Sequence, residues 1–244
     1  MTEPAAEPAD GSATQPAAAG PLAKPADEPA AAEPFAQPAP GPAAAEPLAQ
    51  PAPTRLVLAR HGETAWSKSG QHTGRTDISL TDLGREQAQD LGAALAGRSF
   101  TRVVSSPLMR ASETARLAGF GAGLVMDPDL REWDYGVYEG RRRVDIARDD
   151  PGWTIWTRPI PDGESLQELG ARADRVIARL LPLGGDILLF SHGHFLRVLA
   201  ARWIETPPVT ASRLELWTAT LSELGWEAER RVIEIWNSTG GRPE

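Results

Sequence analysis

The chain has 244 residues, a formal charge of −8 and no cysteine, which excludes disulfides, a thiolate nucleophile and every zinc site built on cysteine. Thirteen of its 22 prolines fall before position 54, and residues 1–54 also hold 19 alanines, seven acids and one lysine, so this segment carries −6 of the charge and too few large apolar side chains to bury a core. The other 190 residues hold 24 cations against 26 acids, a near-neutral balance that argues against a nucleic-acid binder.

The chain is therefore expected to begin with a disordered Ala/Pro-rich tail over 1–54. In it, AAEPFAQPAP at 31–40 returns as AAEPLAQPAP at 44–53; an extended polyproline-like linker and a docking motif both fit such a repeat. One folded domain is expected over 55–244. No run approaches the roughly 18 apolar residues of a membrane span, and the first residues lack the cationic start and apolar stretch of a signal peptide. A cytoplasmic protein without membrane partners is the expectation.

Arg55 to Ala59 reads as a short buried strand running into Arg60-His61-Gly62-Glu63-Thr64. Leu80 to Ala96 has apolar residues at helical spacing, with Thr81 as N-cap. Phe100 to Ser105 reads as a second strand, and Pro107 suits the first turn of a helix carrying Met109 to Leu117. Ser165 and Glu168 form a capping box that opens a helix whose apolar face is Leu166, Leu169, Ala173, Val176, Ile177 and Leu180. Asp186 to Phe190 is a third strand, ending at Ser191-His192-Gly193-His194 before a helix through Trp203. Residues 218–226 and 231–236 read as a hairpin. Strands spaced by such helices predict an α/β fold, a three-layer α/β/α sandwich on a mostly parallel sheet.

In open α/β sheets ligands bind beyond the carboxyl ends of the strands. Three such ends here carry Arg60-His61, Ser105-Ser106-Pro107 with Arg110, and His192-Gly193-His194, which together make a positive crevice suited to a phosphate. The four histidines, at 61, 72, 192 and 194, all lie in or beside these loops. A glycine next to His61 and another next to His192 are expected to let the backbone approach the ligand. Taken singly the signals are weak: a lone histidine at a strand end is more often structural, and His192 with His194 also has the spacing of a metal pair. A metal-dependent phosphoesterase using His61, His192, His194 and Asp77, and a non-catalytic phosphate-binding protein, both remain open from the residues alone, although no carboxylate-rich ligand motif is present.

Taken together, Leu58-Ala59-Arg60-His61-Gly62-Glu63-Thr64, Ser106-Pro107-Leu108-Met109-Arg110-Ala111 and Ser191-His192-Gly193-His194 resemble the histidine phosphatase superfamily, in its phosphoglycerate-mutase-like branch. The segments at 66–77, 130–140 and 192–197 resemble its sedoheptulose-1,7-bisphosphatase-like and acid phosphatase members. The resemblance implies His61 as the nucleophile that takes the phosphoryl group, Arg60, Arg110 and His192 as its phosphate clamp, and Glu132 as the acid. It implies further substrate contacts at Ser67, Thr73, Gly74, Trp133, Tyr135, Gly193 and His194, and no metal or other cofactor. Ser67 departs from the asparagine usual after that tryptophan, replacing an amide with a hydroxyl. Arg60 and Arg110 are expected to depress the pKa of His61. Glu63 reads as structural, and Trp153 and Trp156 as packing residues in a stretch covering the site.

A mutase must keep the phosphoryl group on the histidine in a water-poor pocket with cations for a second acidic substituent. The short insertion after Gly140 and the missing paired-arginine element favour hydrolysis of a small phosphorylated metabolite, such as a sugar phosphate or bisphosphate. Arg141, Arg142 and Arg143 fit either recognition of a second phosphate or a solvated loop face. The oligomeric state is not written in the sequence.

Overall fold

In the computed structural model, which describes residues 52–239, six strands form one sheet: Arg55–Arg60 (β1), Arg102–Ser105 (β2), Val125–Met126 (β3), Asp186–Ser191 (β4), Leu221–Glu227 (β5) and Arg230–Ser238 (β6). Their order is β3-β2-β4-β1-β5-β6. The first four strands of that row are parallel, while β5 pairs antiparallel with β1 and β6 antiparallel with β5. The helices are Ala65–Ser69 (α1), Asp82–Ala94 (α2), Met109–Leu117 (α3), Arg143–Asp149 (α4), Leu166–Leu180 (α5) and Gly193–Trp203 (α6).

β1 and β4 are buried on both faces, which is why they read as continuous apolar runs and not as alternations. Leu56, Leu58, Ile187 and Leu189 pack with Leu169, Ala173 and Val176 of α5 and Phe195 and Leu199 of α6. Val57, Ala59, Leu188 and Phe190 point the other way, onto Leu91 of α2 and Ala115 of α3. Helices on both faces of a mostly parallel sheet make the three-layer sandwich expected from the sequence.

Local signals account for the long elements. Thr81 Oγ1 accepts the Gly84 N–H at 3.0 Å, and Ser165 and Glu168 close their capping box at 3.2 and 2.8 Å, satisfying N–H groups that open a helix. Pro107 lies outside its helix: Leu108, with an extended ψ of 134°, is the residue before α3. The first N–H of that helix, at Met109, instead donates to Asp77 Oδ1 at 2.7 Å.

The expected tail lies outside the described residues up to position 51. Its last residue belongs to the fold, because Thr54 is buried, donates to Leu181 O at 2.7 Å and accepts from Gly184 N at 2.9 Å. At the carboxyl end of β1, the N–H of Ala219 faces the carbonyls of Arg60 and His61, at 3.2 and 3.1 Å. No helix among the described residues is long and apolar enough to cross a membrane.

Candidate active site

The carboxyl ends of β1, β2 and β4 lie along one edge of the sheet, and the loops leaving them converge. His61 follows β1 directly; its N–H donates to Ser191 O at 3.0 Å and its ring Nδ1 is 2.7 Å from Gly62 O. A carbonyl only accepts, so Nδ1 carries the proton and Nε2 of the neutral ring keeps its lone pair. Burial first, then Arg110 and Arg60, hold the imidazole well below its ordinary pKa. The two arginines act in the expected direction, but withdrawal from water does more.

Gly62 is required for packing: a Cβ there would lie 2.2 Å from Gly84 O on α2. Gly193 is different. A Cβ on it would meet the Arg60 guanidinium at 3.2 Å, so its absence lets Arg60 lie against the start of α6. Arg60 Nη1 donates to Leu216 O, while its Nε is buried without a partner among the described residues. A buried guanidinium N–H lacking an acceptor marks a place for an anion.

Arg110, fully buried, spends its donors on the protein. Nη2 reaches Thr73 O and Gly74 O at 3.0 and 3.1 Å, Nη1 reaches Thr76 O at 3.0 Å, and Nε reaches His192 Nδ1 at 3.1 Å. One Nη1 N–H of the five remains. Because Nδ1 of His192 accepts, its Nε2 bears the proton and donates to Ser106 Oγ at 2.8 Å. The His192 ring stands 5.2 Å from that of His61, held neutral mainly by burial and then by Arg110.

Glu132 sits at the mouth of α6. Its Oε1 accepts from the N–H groups of Trp133 and Phe195, both at 2.9 Å, and its Oε2 from His194 N at 3.1 Å. Two of these donors belong to the first turn of α6, where the helix supplies unpaired N–H groups and positive potential.

Arg60, His61, Ser67, Thr73, Glu132, Tyr135, Gly193 and His194 line one cavity of about 190 Å³ with His72 and Arg197. Gly74, Trp133 and Arg110, expected as contacts, and His192, expected in the phosphate clamp, do not. The Gly74 N–H is committed to Glu139 at 2.9 Å, and the Trp133 indole donates to Glu164 O at 2.7 Å while its ring backs His194. Ser67 reaches the cavity but uses its hydroxyl in the α1 capping box, donating to Thr64 O at 3.0 Å and accepting from Thr64 N at 2.8 Å. Glu63 accepts from Thr81 Oγ1 at 2.9 Å, a structural role as expected. Trp153 and Trp156 pack behind the cavity wall, against His72 and His194 at 5.7 and 5.2 Å.

Arg197 was not singled out from the sequence. It lies one turn beyond His194 on α6, a spacing that puts both on one face, and that was the available signal. Its Nε donates to Ala211 O at 3.1 Å and its guanidinium lies 4.7 Å over Trp156; it makes no salt bridge among the described residues. Arg141 and Arg142 pair with Asp149 and Asp145, and none of residues 141–143 lines the cavity. Among the described residues no cluster of three or more histidine or acidic side chains is placed to hold a metal ion.

Known proteins share this organisation. Residues 56–239 match the family model of the histidine phosphatase superfamily, branch 1. An acid phosphatase of Mycobacterium tuberculosis is 41% identical over 190 residues, covering 76% of this chain and 93% of its own. The sedoheptulose 1,7-bisphosphatase of Saccharomyces cerevisiae is 36% identical over 182 residues, covering 61% of this chain and 67% of its own. The solved structure of a Mycobacterium tuberculosis open reading frame product superposes with a TM-score of 0.73 at 41% identity, covering 77% of this chain and 98% of that one. On the family match and these relatives, the chain is a phosphatase that belongs to branch 1 of the histidine phosphatase superfamily.

Proposed function

We propose that the chain hydrolyses phosphomonoesters of small metabolites, sugar phosphates and bisphosphates among them, through a phosphohistidine on His61. One observation carries this reading: the free Nε2 lone pair of a neutral, buried His61 stands in the same cavity as Arg60, whose buried Nε lacks an acceptor. Nε2 attacks phosphorus in line, the N–P bond forms as the P–O bond to the leaving group breaks, and Glu132 gives that oxygen a proton. Arg60, the remaining N–H of Arg110 and the positive start of α6 stabilise charge on the equatorial oxygens. The three backbone N–H groups around Glu132 suit the carboxylate left behind, which then takes a proton from the water that hydrolyses phospho-His61. Inorganic phosphate leaves and the free histidine returns. Arg197, a cation on the cavity wall with no salt bridge among the described residues, supports leaving groups that carry a second negative charge, a role the sequence had offered to residues 141–143.

The test is release of phosphate from a panel running from p-nitrophenyl phosphate to sugar bisphosphates and phosphoglycerates in excess EDTA, by the wild type and by His61→Ala. Turnover that survives chelation and falls at least about 10³-fold in the variant is expected. Loss of turnover on chelation, or equal turnover in His61→Ala, overturns the phosphohistidine reading.

A further inference from the structure

We propose that His72 and His194 form a subsite that reads hydroxyl groups on the leaving group, selecting polyol or sugar phosphates over esters of plain alkyl alcohols. The inference rests on the phosphatase reading and specifies the leaving group for it. Both rings line the cavity that holds His61, with centroids 6.1 Å apart. Tyr135 connects them: His72 stacks on its ring at 4.7 Å, and its hydroxyl is 2.7 Å from His194 Nδ1. Burial, with Glu132 adding to it, keeps the phenol protonated, and its buried O–H has no other acceptor among the described residues, so it donates and Nδ1 accepts. His194 therefore carries its proton on Nε2, which has no partner among the described residues. The two nitrogens of His72 likewise have none, and its Nε2 is buried.

Stacking accounts for where these rings lie but not for their unsatisfied nitrogens. Burial holds both imidazoles neutral, His72 with a pKa of about 4 and His194 well below its ordinary value. A neutral imidazole offers one donor and one acceptor, which is the complement of a hydroxyl; an anion calls for a cation, and Arg60 and Arg197 supply that elsewhere on the wall. Trp153 and Trp156 pack against the two rings. A hydroxylated leaving group satisfies the nitrogens, whereas an alkyl group leaves them unpaired, the buried His72 Nε2 among them, and sites built this way discriminate strongly against the analogue lacking the hydroxyl.

The experiment compares kcat/KM for glycerol 1-phosphate and n-propyl phosphate, a pair differing in two hydroxyls, in the wild type and in His72→Phe, which keeps a stacked ring and removes both nitrogens. The wild type is expected to prefer the glycerol ester by about tenfold or more, and His72→Phe to reduce that preference to about threefold or less. A wild-type ratio near one overturns the proposal, and this arm needs no variant to fold. So does a ratio unchanged in His72→Phe, or in His72→Asn should the phenylalanine variant not fold. Failure of the wild type to release phosphate from either ester or from p-nitrophenyl phosphate overturns the phosphatase reading itself, an outcome distinct from a ratio of one.

Discussion

Each of the four histidines is held neutral by its removal from water, and this has a cost that pH exposes. In the unfolded chain an imidazole takes up a proton near pH 6.5; folded, His72 does so only at about 4, and His61, His192 and His194 are also held well below the ordinary value. Below pH 6.5 the unfolded chain therefore binds more protons than the folded one, and stability falls as pH falls. For His72 the full effect, reached below pH 4, is about 3 kcal/mol, of which about 2 kcal/mol is already lost at pH 5. Urea midpoints at pH 7.5 and 5.0 should drop accordingly, and the drop should be smaller in His72→Phe; a midpoint that does not move with pH contradicts the buried neutral histidines. At this scale the sequence was legible where a residue type is rare. Four histidines gathered in loops drew attention to themselves, whereas Arg197 is one of 23 arginines and only its contacts distinguish it. The packing that requires Gly62 and Gly74, against the backbone of Gly84 and of Trp133, was not legible, because a glycine looks the same in sequence whatever it faces.

Among the elements, α6 carries the most of the site: His192 precedes it, Gly193 opens it, and His194 and Arg197 project from it. Glu132 closes its N-terminus from another part of the chain, so one carboxylate both caps a helix and faces the cavity. Glu132→Gln keeps the shape but removes the charge and replaces one acceptor by a donor. It is expected to lower kcat by about 10²–10⁴-fold and stability by about 1–2 kcal/mol, read from single-turnover kinetics and urea denaturation of one preparation. Unchanged kcat would remove Glu132 from the proton transfer, and unchanged stability would remove it from the cap. The long elements were legible because periodicity and caps agree in them; the helix expected to carry Met109–Leu117 is present, but it starts after Pro107, which was read as part of its first turn. The five residues of α1, the seven of α4 and the two exposed residues of β3 are too short to show a period, and what fixes them is tertiary, such as the pairing of β3 with β2.

For the molecule as a whole, the sandwich was legible from the alternation of apolar runs with amphipathic helices, while the packing of Thr54, the last residue of the expected tail, was not. Proline and alanine continue to position 53, and composition does not reveal that Thr54 is bonded to the segment after α5 or that its carbonyl accepts the Trp226 indole N–H at 2.7 Å. All residues lining the cavity lie at or beyond Arg60. Removal of residues 1–51 should therefore leave turnover as it is, whereas further removal of 52–54 should cost about 1–3 kcal/mol of stability for the buried hydrogen bonds lost, measured by denaturation of the two truncated chains; equal stability of the two would show that Thr54 contributes nothing. The contact of Ala219 and Leu216 with Arg60 and His61 has a consequence in time. The ribosome makes the Arg60-His61 loop early and the segment that binds its carbonyls and the Arg60 guanidinium some 160 residues later. A nascent chain that stops before Leu216 holds Arg60 and His61 without the partners that set them, so their bonded geometry forms only after this distant segment has been made.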